Sequence, residues 1–352
     1  MPFIHADVAL TADGWRRNVR IEVDPAGRIS QLESGQSVLP DTHHVGVALP
    51  AVGNAHSHAF QRALAGRTER RGTGDDSFWT WREQMYGLVS ALNPDDVRII
   101  AEQAQVDMLE AGFSRVAEFH YLFNTPDGRS YATASELPGC LIEAARNTGI
   151  GLTLVPVLYE QGDVDGSPVS SHQRRFATGL DRYLDVMDDL TASRSTWHDD
   201  VRIGLGAHSV RAARPQSLRA LDALSDTPDT PSLLHLHVAE QQREVDAFHA
   251  VHGTTPVQWL CENLNIDARW ALVHITHARS DELEAVARAG ATAVLCPMTE
   301  GNLGDGLFGA VHYQSAGGDW AIGTDANLRC AVGEELAWLE YGQRLRHARR
   351  TV

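Results

Sequence analysis

The sequence contains no lysine, so each of its 30 basic residues is an arginine. Cysteine is sparse. Cys140, Cys261, Cys296 and Cys330 are scattered with no Cys-x-x-Cys pair, which argues against a disulfide framework and against a cysteine-rich zinc module. No apolar run reaches the roughly 20 residues a membrane-spanning helix needs. The N-terminus (Met1-Pro2-Phe3-Ile4-His5) has no basic head before a hydrophobic run, so no signal peptide and a cytoplasmic location are expected. No Gly-x-Gly-x-x-Gly follows a first strand, which removes the main argument for a dinucleotide-binding, doubly wound sheet. Positive charge is in deficit. The formal charge of −16 speaks against nucleic acid and against anionic membrane surfaces, both of which need a basic footprint. A small anionic substrate stays compatible with that charge only if arginines are placed locally around it.

At 352 residues the chain can bury a large core as one α/β barrel or as two smaller domains. Residues 3–12 and 19–33 read as short strands, the second broken by the turn signal Asp24-Pro25-Ala26-Gly27. Residues 34–47 are polar and turn-rich and read as a linker. From Ala48 on, strand patterns at 48–55, 114–121, 151–159, 201–207, 232–238, 269–275, 291–296 and 319–324 alternate with helical ones. The helical patterns lie near 95–111, 132–147, 172–190, 215–225, 240–250, 256–264, 280–289 and 334–349. Asn93-Pro94-Asp95-Asp96 combines an N-cap, a proline at the first helical position and acids suited to the helix dipole. Gly112 and Gly149 stand where C-caps belong. Eight such alternations predict a (β/α)₈ TIM barrel over 48–352 behind a small β element over 1–47, with the active site at the C-terminal ends of the strands. The insertion 59–92 carries Phe78-Trp79-Thr80-Trp81-Arg82. Aromatic density in a long loop fits either a lid or interface, or a satellite hydrophobic cluster.

Strand ends carry the chemistry. Pro50-Ala51-Val52-Gly53-Asn54-Ala55 runs into His56-Ser57-His58, and an i, i+2 pair on a strand points both imidazoles to one face, half of a zinc site. The second strand ends with Glu118, His120 and Tyr121, the fourth with His208 and Arg211, the fifth with His235, His237 and Glu240, the sixth with His274 and His277, the eighth with Asp325. Several imidazoles and a carboxylate buried together are costly unless they share a metal or a hydrogen-bond network.

In its landmarks, His56-x-His58, His237, His274 and Asp325 in order on their strands, the sequence resembles the amidohydrolase superfamily. Asn54-Ala55-His56-Ser57-His58-Ala59-Phe60-Gln61-Arg62, Phe78-Trp79-Thr80-Trp81-Arg82, His237-Val238-Ala239-Glu240-Gln241 and Trp270-Ala271-Leu272-Val273-His274 are similar to the N-formimino-L-glutamate iminohydrolases of histidine degradation. The resemblance implies one Zn²⁺ per chain, with Fe²⁺ as a substitute, held by His56, His58, His237 and Asp325. It also implies Gln61, Arg82, Tyr121, His208 and Arg211 around the glutamate part of a small dicarboxylate substrate, and a homodimer. The lysine that bridges two metals in dinuclear relatives has no counterpart here, and Glu160 is the one carboxylate that offers an alternative bridge, with a plain loop role as the simpler reading.

The mechanism that follows as an expectation gives Asp325 the proton of the attacking water and Glu240 the shuttle of a proton to departing ammonia. His274 then supports the attacking oxygen. Arg82 has a second reading, cation–π packing on Trp79 or Trp81. The resemblance departs in one respect: family members continue past the eighth strand with a segment that completes the small β domain, so the N-terminal strands here are expected to expose edges. Two rival functions remain, a deaminase of another amidine or aromatic amine, and a truncated barrel that binds without turnover.

Overall fold

The computed structural model describes residues 3–70, 74–197, 199–225 and 232–350. It divides into two compact units, Met1–Val52 and Gly53–Val352. The first is a mixed four-stranded sheet of β1 (Phe3–Thr11), β2 (Gly14–Val23), β3 (Ile29–Glu33) and β4 (His43–Ala48), in the order β3-β2-β1-β4. Alternation puts Ala6 beside its partner Val19, and Ile4 beside Ile21, on one face, and with Ala9, Val45 and Ala48 they form a small hydrophobic cluster. The linker reading of 34–47 therefore needs correction. Its last five residues belong to β4, which pairs in parallel with β1 from Ile4 opposite His43 to Ala9 opposite Ala48. The polar composition hid a strand whose Val45 contributes to this core. β3 and β4 are the edges of this sheet, and Ile29 and Val47 are exposed on them.

The second unit is a nearly closed parallel barrel. Its strands are β5 (Val52–Ser57), β6 (Phe113–His120), β7 (Gly151–Leu158), β9 (Leu205–Ser209), β10 (Leu234–Val238), β11 (Trp270–His274), β12 (Thr292–Leu295) and β13 (Trp320–Ile322), in that spatial order. A short β8 (Val201–Ile203) pairs only with β7. The expected strand 201–207 is thus split at Gly204. All eight expected barrel strands are present, and the interior strands read as continuous buried runs, as parallel strands covered on both faces do.

The helices are α1 (Phe78–Val89), α2 (Pro94–Glu110), α3 (Glu136–Thr148), α4 (Leu180–Ser193), α5 (Pro215–Ser225), α6 (Gln242–His252), α7 (Pro256–Asn263), α8 (Ser280–Ala289), α9 (Pro297–Leu303), α10 (Ala310–Ser315) and α11 (Val332–His347). Asn93 caps α2 as expected, its side chain accepting from Asp96 N at 3.0 Å while Asp96 accepts from Asn93 N. Gly149 ends α3 in the left-handed conformation, φ +80°.

One helix starts later than its pattern suggests. Residues 172–179 precede α4 as a loop because Arg175 is drawn into the core. Its guanidinium donates to the carbonyls of Asn124 (3.0 Å) and Leu92 (2.8 Å) and to that of Val89. A buried cation takes partners where it finds them, and these lie across the barrel rather than along a helix.

Closure between the first and last strands fixes the place of the site. Thr324 N and Asp325 N both donate to His56 O at 3.0 Å, and His58 N donates to Asp325 O at 2.9 Å. Asn54 adds a side-chain staple, donating to Thr324 Oγ1 at 2.7 Å and accepting from Thr324 N at 3.1 Å. The approach is close enough to demand glycine at 323, where a Cβ would lie 2.7 Å from that of His56.

Candidate metal centre and substrate cleft

His56 and His58 leave β5 on one face, as the i, i+2 spacing predicts, and both are buried. His237 comes from β10 and Asp325 from the turn after β13. The Nε2 atoms of His56 and His237 stand 3.0 Å apart, and those of His56 and His58 3.2 Å. Asp325 Oδ1 lies 3.2 Å from His58 Nε2 and 3.5 Å from His56 Nε2. Four donors at the corners of a tetrahedron with bonds of about 2.0 Å are separated by about 3.3 Å.

The protons decide what these nitrogens can be. His58 Nδ1 donates to Phe119 O and His237 Nδ1 to His208 O, both at 2.9 Å, because a carbonyl only accepts. Their Nε2 atoms are then bare lone pairs in the neutral rings. Burial first, and the neighbouring imidazoles after it, push His56 and His237 down well below the ordinary histidine value. Burial likewise lowers His58, against the pull of Asp325. Neutral imidazoles with lone pairs facing one another repel unless a cation lies between them, so the residues fit a divalent metal. His235, the rival on the same strand, sits behind His56 instead, its Nε2 3.2 Å from His56 Nδ1.

The backbone around this cage is unusual. Ala239, His274, Ile275, Asp325 and Asn327 all have positive φ, from +41° to +71°. Non-glycine residues there are uncommon, and for β-branched Ile275 the conformation is an outlier. Such conformations collect where surrounding structure holds functional side chains in place.

Glu240 follows β10 and lies inward, its Oε1 3.6 Å from His274 Nε2. Burial, above all, pushes Glu240 up to about 7; His274 and Arg211 pull the other way. On His274, burial works against charge, but Glu240, Glu300 and Asp325 outweigh it and hold the imidazole at about 10. His274 Nδ1 lies 3.2 Å from Glu300 Oε1, and Nε2 lies 3.8 Å from Asp325 Oδ2.

All five residues expected around a dicarboxylate line the same cleft as this cage, an empty volume of ≈ 550 Å³ counting its open mouth. Gln61 Nε2 donates to Tyr121 Oη at 2.8 Å, while Gln61 Oε1 is buried without a partner. Among the described residues the hydrogen bonds of the Arg211 guanidinium are long, 3.4 Å to Tyr159 Oη and 3.5 Å to Gly162 O. Arg82 Nε is buried without a partner, and its guanidinium lies 4.4 Å from the Trp79 ring centre. The cation–π packing of Arg82 on Trp79 is present, and the same side chain lines the cleft. The insertion 59–92, of which 71–73 lie outside the described residues, forms α1 rather than a plain loop, with Ser77 and Thr80 making a capping box. Trp81, Met85 and Tyr86 of α1 join the cleft wall.

Glu160 is not at the cage. Its carboxylate accepts from Arg214 N (2.9 Å) and Ser217 Oγ (3.0 Å), capping the start of α5. Glu118 is also structural, buried and accepting from Ala59 N at 2.6 Å, with burial pushing it up to about 8. Three residues that sequence reasoning passed over matter here. Glu300 orients His274, Glu244 accepts from the backbone of Ala239 (3.3 Å) and Glu240 (3.2 Å), and Tyr159 contacts Arg211. Glu300 had a signal: it follows Cys296-Pro297 at the end of the seventh strand, the one strand end after β11 that had seemed to offer nothing polar.

Known proteins resemble this chain in sequence and fold. Residues 1–44 match the model of the N-terminal domain of formimidoylglutamate deiminase HutF, and residues 47–351 match the amidohydrolase family model. The chain belongs to the amidohydrolase family. It is 46% identical over 351 residues to the formimidoylglutamate deiminase of Pseudomonas aeruginosa, an alignment covering 99% of this chain and 76% of that one. A crystal structure of an amidohydrolase from Brucella melitensis superposes with a TM-score of 0.93 at 42% identity, covering 99% of this chain and 77% of that chain. More distant is the 5-methylthioadenosine/S-adenosylhomocysteine deaminase of Halobacterium salinarum, at 24% identity over 79% of this chain and 57% of its own length. His56, His58, His237 and Asp325 are all buried and bring four ligand atoms within 4.8 Å of one another, a group that could hold a metal ion. Among the described residues no helix is long and apolar enough to cross a membrane.

Proposed function

We infer that this chain is a formimidoylglutamate deiminase: it hydrolyses N-formimidoyl-L-glutamate to N-formyl-L-glutamate and ammonia. The observation that carries the reading is the pair Arg82 and Arg211, neither with a carboxylate partner among the described residues, in the same cleft as the imidazole–carboxylate cage. In a protein of charge −16, two guanidinium groups that line a cleft without a salt-bridge partner among the described residues suit the two carboxylates of a glutamate. A heteroaromatic amine would use neither. The name of the Pseudomonas relative supports the same conclusion.

We propose one zinc ion per chain in the cage. When bound, it supplies an activated water at neutral pH, its pKa lowered to roughly 7. Asp325, whose Oδ2 is not among the shortest cage contacts, would be the group to take the proton of the attacking water. The formimidoyl group is an amidinium near neutral pH, so the Glu240 carboxylate stabilises its terminal nitrogen. As oxygen bonds to the formimidoyl carbon, His274, held protonated beside Glu240 and Glu300, donates a hydrogen bond to that oxygen. Glu240 then takes the remaining proton of that oxygen and passes it to the terminal nitrogen, the C–N bond breaks, ammonia departs and a formyl C=O remains, the proton held by Asp325 returning to solvent. Arg82, Arg211, Gln61, Tyr121 and His208 hold the glutamate part. A cytoplasmic location and a homodimer belong to the same proposal.

The test is ammonia release from N-formimidoyl-L-glutamate beside guanine, cytosine and adenosine, with metal content measured on the same sample. Turnover of the first alone supports the reading. Turnover of a base or nucleoside in its place overturns it.

A further inference from the structure

Trp79 carries two arginines. The guanidinium carbon of Arg82 lies 4.4 Å from its ring centre, and that of Arg243, on α6, lies 4.3 Å from it. Arg243 is exposed and has no carboxylate or hydrogen-bond partner among the described residues. An arginine on a protein with 46 acidic residues that pairs with none of them, and instead meets an aromatic ring from another element, is placed for that ring.

The two ends of α1 are held differently. At its C-terminal end, the carbonyls of Val89 and of Leu92 just beyond it accept from buried Arg175, and Val89 is itself buried. Tyr86 stacks on His172, ring centres 5.7 Å apart and planes 18° from parallel. At the N-terminal end, residues 74–77 are exposed. There Trp79, half-buried, meets Arg243 of α6. Arg82 stands one turn further along α1 and shares the ring. α6 begins two residues after Glu240 and also carries Glu244, which accepts from Glu240 N.

We propose that Arg243 is a positioning residue for the substrate carboxylate. By clasping Trp79 it ties the first turn of α1 to the element that presents Glu240, and it thereby fixes Arg82 in the cleft. This rests on the reading of Arg82 as a carboxylate ligand. Removing the clasp loosens binding without touching the reacting atoms. An exposed cation–π contact is worth about 0.5–1 kcal/mol, and at 1.4 kcal/mol per tenfold that becomes a rise in KM of about two- to fivefold, with kcat little changed.

The experiment has two arms on the full chain. In the kinetic arm, Arg243→Ala raises KM for N-formimidoyl-L-glutamate about two- to fivefold, Arg243→Lys restores most of it, and in a Trp79→Ala background Arg243→Ala has no further effect. In the exchange arm, run without substrate, Arg243→Ala speeds amide hydrogen exchange in the first turns of α1 and leaves α2 unchanged. Unaltered exchange in α1 overturns the proposal, as does a loss confined to kcat or an undiminished effect in the Trp79→Ala background. Absence of turnover in the parent chain strikes the functional reading instead, and the exchange arm still decides the clasp.

Discussion

Replacing Glu240 by glutamine tests the division of labour between the cage and the acid–base group. Glutamine keeps the shape and one acceptor oxygen but cannot carry the proton to ammonia. The nearest charged neighbour of Glu240 is His274, at 3.6 Å, and none of the four cage donors depends on it. Metal content should therefore stay at the parent level. A positioned general acid–base contributes about 10²- to 10⁴-fold, so kcat should fall by that factor, about 3–5.5 kcal/mol on the barrier. KM should move by less than about threefold, because the carboxylate ligands Arg82 and Arg211 are untouched. Burial raises this carboxyl to about 7, so the parent is expected to show a limb of its pH–rate profile near that pH to which Glu240 contributes, and the variant should lose that contribution. The assay is ammonia release under saturating substrate across pH 5.5–9, with metal measured on each preparation. A kcat within threefold of the parent, at equal metal content, refutes the role.

The remaining expectations concern binding, stability and the cage. Arg82→Ala and Arg211→Ala should each lower kcat/KM by about ten- to hundredfold, the loss of one charge-assisted pair of about 1.5–3 kcal/mol, mainly through KM. A kcat effect with unchanged KM would remove both from the substrate. Glu335 on α11 is buried, accepts from Met298 N at 3.0 Å, and is pushed by burial up to about 8 from the ordinary 4.5. Its proton is bound more tightly in the folded chain, so its contribution to stability is full below about 4.5 and declines as pH rises to about 8, by about 1.4 kcal/mol per pH unit at most. Glu335→Gln should flatten that decline, raising the urea midpoint at pH 8 relative to the parent and not at pH 5. Equal gains at both would contradict it. His237→Ala removes one of four donors and should cost the chain its metal, read by elemental analysis after dialysis.

Much of this site was legible before any coordinates. Histidines at i, i+2 on a strand can only share a face, and parallel β/α alternation brings strand ends together, so residue type and place pointed to the strand ends, while the choice of His56, His58, His237 and Asp325 as one set rested on the resemblance. Positions set by burial or by distant partners were harder to read. β4 hides in a polar stretch because its pairing with β1 supplies what its composition withholds. The start of α4 is displaced because Arg175 finds carbonyls across the barrel, a choice no local pattern records. Glu300 sits one turn into α9, where a strand-end search stops too early. The doubled stack on Trp79 joins residues 164 positions apart in the chain, and only the fold brings them together.

The central claim is that four convergent donors hold one divalent ion on which turnover depends. It is tested most directly by titrating zinc into chelator-stripped protein while following ammonia release from N-formimidoyl-L-glutamate. Activity should rise linearly and reach its plateau at one ion per chain. Full activity in the stripped protein, or a plateau reached only at two ions per chain, would contradict it.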